Sequence, residues 1–197
     1  MSGTSKRVGR PANETGGQAP ALSLGEVKRL LKVAKGSNNG TRNAALISVC
    51  LSGARVSEPL VITKGMVLSS NGTIHESFVL PANKSKNGTP RRIYLSNQAR
   101  LLLAELIAEM GACDGDTLLF PLKANYATRL INGLMREAGI SSSSHGLRRS
   151  AATQLQQHGV SVPHIQQALG HKNLFSTQFY LDKSPVNVAN AMKVLPW

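Results

Sequence analysis

Residues 141–180 read SSSSHGLRRS AATQLQQHGV SVPHIQQALG HKNLFSTQFY, and the fold turns on how this stretch is understood. Its apolar spacing predicts helices over Gly146–His158 and Val162–Leu169. Gly159 and Gly170 stand just past their ends, where helix C-cap glycines belong. His145 and Arg148 lie three residues apart at the start of the first helix, so they share a face. Four serines, Ser141–Ser144, precede them, and a helix N-terminus there favours a bound anion. An arginine and a histidine on one face of such an end form a plausible phosphate cradle.

Upstream, Gly53-Ala54-Arg55-Val56-Ser57-Glu58 puts a second arginine at another helix start. Two such guanidinium groups can grip the two non-bridging oxygens of one phosphate. Between these segments, Ser85-Lys86-Asn87-Gly88 forms part of a hairpin turn that also holds Lys84. Downstream, Leu169-Gly170-His171 is followed nine residues later by Tyr180. Taken singly, each residue has a plain structural explanation. Arg55 can be a surface charge and His145 a capping residue. Lys86 can be one more solvated hairpin lysine, His171 a helix-terminal histidine, and Tyr180 a packed aromatic. The occurrence of all five segments in one order is what requires a common explanation.

The rest of the chain predicts a mainly α domain with a small three-stranded antiparallel sheet. Ser23 and Glu26 have capping-box spacing, and Val27, Leu30 and Leu31 follow with helical period. Further helices are expected over roughly Thr41–Ser52, just after Arg55, and over Asn97–Met110 and Ala124–Ala138. A last one is expected at about Pro185–Val194. Met66–Ser69, Ile74–Leu80 and Arg91–Leu95 read as strands, with turns at Ser70-Asn71-Gly72 and Asn83–Pro90. Residues 1–20, rich in Gly, Ser, Thr, Pro and Asn, read as a disordered basic tail. Residues 21–197 read as one domain.

Composition narrows the partner. The 197 residues carry 23 Lys and Arg against 10 Asp and Glu, a formal charge of +13. Such a surplus points to a polyanion, because each basic contact to a phosphate releases condensed counterions. Double-stranded DNA is the first candidate. A membrane surface lacks support, since the richest apolar run, Ala44–Leu51, is far too short to span a bilayer. Apolar residues make up 41% and aromatics 4%, which predicts an aliphatic core. Cys50 and Cys113 form neither a disulfide framework nor a zinc signature, so a cytoplasmic protein with reduced thiols and a core Cys50 is expected. The acidic residues are scattered. The tightest pair, Asp114 and Asp116, reads as a turn, which leaves no carboxylate cluster suited to a two-metal nuclease.

In order and spacing, the five segments resemble the tyrosine recombinase or phage integrase family. The resemblance runs over roughly Leu22–Trp197. It places Arg55 and Arg148 on the family's two phosphate-binding arginines, and His145 and His171 on its two histidines. Tyr180 falls on the nucleophile and Glu58 on an acidic position that supports the site. The hairpin lysine is Lys86 or Lys84, with Lys86 favoured by counting back from the strand Arg92–Leu95.

The resemblance implies a specific chemistry. The Tyr180 phenol attacks a phosphodiester and forms a 3′-phosphotyrosyl bond with a free 5′-hydroxyl. Arg55, Arg148 and His171 stabilise the charge that builds on the non-bridging oxygens. His145 assists proton transfer and Lys86 protonates the leaving 5′-oxygen. A second 5′-hydroxyl can reverse the step, so no metal or nucleotide cofactor is implied. Further DNA contacts are expected from Lys84, Arg149 and Lys172, and from Lys6, Arg7 and Arg10 in the tail. The tail segment Lys6–Pro11 loosely resembles an AT-hook core. A tetramer on DNA is expected, with residues 185–195 either docking on a neighbour or packing on their own core. Family members usually carry a core-binding domain before the catalytic one. Its place is expected to be taken by a naturally short form or by an accessory DNA-binding protein. A relaxing enzyme like the type IB topoisomerases and a non-catalytic architectural DNA-binding protein are the alternatives.

Overall fold

The computed structural model of the chain describes residues 19–85 and 88–170. Lys6, Arg7, Arg10, Lys86, His171, Lys172, Tyr180 and the expected helix at Pro185–Val194 lie outside these residues. Seven α-helices are described: α1 (Leu24–Gly36), α2 (Gly40–Leu51), α3 (Lys64–Val67), α4 (Asn97–Met110), α5 (Ala124–Glu137), α6 (Ser144–Gln157) and α7 (Val162–Leu169). A two-stranded antiparallel sheet joins β1 (Ser77–Leu80) to β2 (Arg91–Tyr94), from Ser77 opposite Tyr94 to Leu80 opposite Arg91.

The central element is α2. Nine of its residues, Thr41 and Asn43 through Cys50, are buried, so it is enclosed on almost every side. It packs against α1, α4 and α6. The entry to α1 is set by the expected capping box: the Glu26 N–H donates to Ser23 Oγ (3.3 Å) and the Ser23 N–H to Glu26 Oε2 (2.8 Å). The serine bonds hold the Glu26 carboxyl below its ordinary value. The segment before α1 crosses α6, where Ser142 Oγ donates to the Pro20 carbonyl and the Leu22 N–H to Ser150 Oγ, both at 2.7 Å. Among the described residues, Phe78 and Phe120 are the only buried aromatics in an otherwise aliphatic core. Cys50 belongs to that core, and burial pushes its thiol up to about 12, which makes it inert packing. A small satellite of Ala152, Ile165 and Leu169 fixes α7 to α6. Among the described residues no helix is long and apolar enough to cross a membrane.

Two expectations need correction. The sheet has two strands, not three. The stretch Met66–Ser69 was expected to be a strand, but Lys64–Val67 is a helical turn, and only Leu68 pairs, in a single bridge to Ile74. The backbone before it is already occupied, because the Lys64 and Gly65 N–H groups donate to Thr117 and Gly115 carbonyls. Beyond it the chain turns at once, with Asn71 Oδ1 accepting from the Thr73 N–H at 3.1 Å. A ladder confined between those two constraints has room for one bridge. The same turn shortens the expected strand Ile74–Leu80 to Ser77–Leu80. The helix expected after Arg55 is also less than one: residues 56–58 form a turn that runs into a 3-10 turn at Pro59–Val61, where the Pro59 ring supplies no N–H.

Candidate active site

Four segments far apart in sequence meet where α2 ends. Its C-terminus passes through Gly53, which has φ +92° and whose added Cβ would sit 3.0 Å from Leu169 Cδ2. Only a glycine lets the chain turn there while α7 packs this closely. The turn delivers Arg55 and Glu58. Glu58 is 1% exposed and takes three hydrogen bonds. The Arg55 N–H donates to Oε2 at 2.7 Å and Arg55 Nη1 to Oε1 at 2.8 Å. The third comes from Arg91 Nη1, which forms a buried ion pair with Oε2.

Arg148, on the second turn of α6, is buried beside them. Its Nη1 donates to the Gly53 carbonyl at 2.6 Å and its Nη2 to the Leu169 carbonyl at 2.5 Å. Arg91 Nη2 reaches the same Gly53 carbonyl at 3.1 Å and the Ala168 carbonyl at 3.0 Å. Arg55 Nη2 reaches the Gly170 carbonyl at 3.3 Å. Three guanidinium groups therefore take the three successive carbonyls that close α7. That end carries the negative pole of the helix and carbonyls without intrahelical partners, so cations belong there. Gly170 caps the helix at φ +62°, and a methyl on it would meet Arg91 Cδ at 2.5 Å.

Electrostatics follow from this crowding. Burial alone would raise the Glu58 carboxyl. The Arg91 charge and the bonds from Arg55 together outweigh it and hold Glu58 below its ordinary value. Burial likewise pulls Arg91 down, and the Glu58 charge opposes it. Among the described residues, three arginines and one glutamate share this place. Arg55 is the outermost, with 23% of its side chain exposed. Among the described residues two of its five N–H hydrogens are bonded, so the rest of its fork can take an anion.

The structure brings Arg55, Glu58 and Arg148 of the candidate residues to one place. His145 lies exposed in the first turn of α6, three residues before Arg148. Lys84 is exposed at the end of a 3-10 turn, Ala82–Lys84, on the hairpin. Arg149 is half-buried, and its Nη1 reaches the Ala19 carbonyl at 3.5 Å. Arg91 was missed. The signal for it was present: in Arg91-Arg92-Ile93-Tyr94-Leu95 the alternation puts Arg91 on the inward face with Ile93 and Leu95. A charged residue on that face must find buried partners.

The domain is mainly helical, carries a small antiparallel sheet and gathers three arginines at one helix end. The chain belongs to the phage integrase family, whose model matches residues 21–186. It is 29% identical over 165 residues to tyrosine recombinase XerA of Saccharolobus solfataricus, a match that covers 83% of this chain and 52% of that protein. The chain spans about half the length of the curated relatives it matches. In fold it resembles the crystal structure of XerA recombinase, with a TM-score of 0.73 at 23% identity, covering 95% of this chain and 67% of that one. It also resembles XerH site-specific recombinase bound to palindromic difH substrate in a post-cleavage complex. There the TM-score is 0.71 at 23% identity, and the match covers 93% of this chain and 55% of the other.

Proposed function

We propose that this chain is the strand-cleaving domain of a site-specific DNA recombinase, acting through a 3′-phosphotyrosyl link to Tyr180. The observation that carries the proposal is the meeting of Arg55 and Arg148 at the end of α7, directly before His171 in the chain. Two guanidinium groups held there by fixed hydrogen bonds cost little reorganisation when negative charge develops on a phosphate. Arg55 and Arg148 hold the two non-bridging oxygens of the scissile phosphate, and His171 adds a third donor. His145, three residues before Arg148, takes up the phenol proton as Tyr180 attacks phosphorus. Lys86, or Lys84, returns a proton to the departing 5′-oxygen. The phosphotyrosyl ester keeps the energy of the broken bond, so a 5′-hydroxyl from another strand restores the phosphodiester. Residues 21–197 form this catalytic unit and need neither metal nor nucleotide. Lys6, Arg7 and Arg10 in the basic tail, with Arg149 and Lys172, add phosphate contacts. Exchange between two duplexes requires a tetramer on DNA, for which residues 185–195 supply a docking segment. The protein works in the cytoplasm, with or without an accessory DNA-binding protein.

The test is a set of nicked duplexes drawn from DNA flanking the gene, incubated with the protein and resolved on a denaturing gel. A covalent protein–DNA band is expected, and Tyr180→Phe should remove it while leaving duplex binding intact. No adduct on any duplex that the protein binds well would overturn the proposal in favour of an architectural role. Adducts with plasmid relaxation but no exchange between two duplexes would favour a topoisomerase.

A further inference from the structure

We propose that Arg91 is a positioning residue for strand cleavage: it occupies one side of Glu58 so that Arg55 engages Glu58 through a single guanidinium nitrogen and keeps the rest of its fork for the phosphate. This inference rests on the function proposed above and assigns a role to a residue that the reaction itself does not use.

The geometry makes the argument. A carboxylate and a guanidinium prefer a bidentate pairing, with two parallel N–H···O bonds. Arg55 and Glu58 do not adopt it. Arg55 gives only Nη1 to the carboxylate, at Oε1, while its Nη2 turns to the Gly170 carbonyl. The other carboxylate oxygen is taken by the Arg55 backbone N–H and by Arg91 Nη1. Arg91 is held at that oxygen from two further directions, since its Nη2 bridges the Gly53 and Ala168 carbonyls. It is 7% exposed, so water does not compete for those partners. Among the described residues, removing Arg91 leaves Oε2 with only the Arg55 backbone N–H and opens its other lone pair beside the Arg55 side chain. The fork can then close onto Glu58, away from Gly170 and from any bound phosphate. The bridge from Gly53 to Ala168, which links the Arg55 turn to α7, disappears at the same time.

Arg91 also opens β2, pairing with Leu80 across the base of the hairpin that carries Lys84. Its side chain therefore fixes the base of that hairpin to the arginine cluster. A displacement of about 1 Å at a reacting group is enough to slow a reaction by about a hundredfold.

The experiment compares wild type, Arg91→Met, Arg91→Lys, Arg55→Ala and the Arg55→Ala/Arg91→Met double variant. Each is measured for thermal melting, affinity for an intact duplex, and rate of covalent adduct formation on a nicked duplex at saturating protein. Arg91→Met is expected to form adduct about a hundredfold more slowly, with duplex affinity within about twofold of wild type. Arg91→Lys keeps the charge at Glu58 but cannot bridge two carbonyls as well, and should fall between the two. The decisive readout is the cycle. If Arg91 acts by setting Arg55, its loss in the Arg55→Ala background should cost no more than about twofold. Losses that multiply would reduce Arg91 to a structural role and overturn the inference. So would wild-type cleavage by Arg91→Met. If Arg91→Met is unfolded at the assay temperature, Arg91→Lys decides: slow cleavage at unchanged affinity supports the inference and full-rate cleavage overturns it. A wild type that forms no adduct defeats the proposed function and this inference together. A cleaving wild type with a fully active Arg91 variant defeats this inference alone.

Discussion

The two ends of α2 each carry a buried polar network, and they are built to opposite ends. At its N-terminus, Asn43 Nδ2 donates to Ser37 Oγ (2.9 Å) and to the Asn38 carbonyl (2.8 Å), and its Oδ1 accepts from Arg42. Nearby, Thr41 Oγ1 donates to Glu109 and accepts from Lys35, which also pairs with Glu105. The formal charges of Lys35, Arg42, Glu105 and Glu109 cancel. At the C-terminus Arg55 and Arg91 pair with Glu58, and Arg148 bonds the Gly53 and Leu169 carbonyls beside them. The first network satisfies itself and anchors α1 and α4 to α2. The second ties the Arg55 turn, β2 and α6 to the end of α7, and it includes the part-exposed Arg55.

The largest expected effect comes from removing Glu58, the one negative charge of the second network among the described residues. Glu58→Gln leaves Arg91 buried without a counter-charge and takes the ion pair from Arg55. Breaking a buried pair on one side costs about 3–5 kcal/mol, to be read as a loss of unfolding free energy in urea. A loss below about 1 kcal/mol would mean that the carbonyls of α7 alone stabilise these guanidiniums. The same contact sets an acid limit. Glu58 is held below the ordinary carboxylate value of 4.5, so its contribution is fully present above that pH. It is lost as pH falls through the depressed folded value. Stability curves of wild type and Glu58→Gln should converge as pH drops below about 4.5, and parallel curves would place the acid sensitivity elsewhere.

The contrast also explains what could be read without coordinates. Helices α4, α5 and α7 were legible almost to the residue, because amphipathic period, caps and C-terminal glycines agree there. The false strand at Met66–Ser69 was not legible as a turn. Its β-branched and apolar content is genuine, and the partner that claims its backbone, Gly115–Thr117, lies some fifty residues away. In the site, Arg55 and Arg148 were found because they recur in a recognisable order. Arg91 was hidden by its neighbour Arg92, which has the same residue type but points outward to Ser77 Oγ (3.0 Å). Only the alternation of the strand separates the buried arginine from the exposed one.

A smaller effect is expected at the other end of α2. Asn43→Ala removes the bonds to Ser37 and to the Asn38 carbonyl at a residue that is 1% exposed, while Ser37 Oγ keeps its bond to the Ala34 carbonyl. The cost should be about 1–3 kcal/mol, again by urea denaturation. Covalent adduct formation by the folded variant should be unchanged, since nothing in this network touches the arginine cluster. A folded Asn43→Ala protein with impaired cleavage would erase the distinction between the two ends.

The smallest effect should follow Glu105→Ala. Glu105 pairs with Lys35 in solvent, with 48% and 36% of their side chains exposed. Such a pair contributes about 0–1 kcal/mol, because water and salt screen it and holding two long side chains costs entropy. Lys35 Nζ keeps Thr41 Oγ1 at 3.1 Å after the change, and Thr41 keeps Glu109 at 2.6 Å, so the buried part of the network survives. The variant should unfold within about 1 kcal/mol of wild type, with the difference shrinking as salt is raised. Loss of more than that, insensitive to salt, would show that Lys35 and Glu105 act as a buried pair, and that the N-terminal network of α2 is under the same electrostatic tension as the site at its other end.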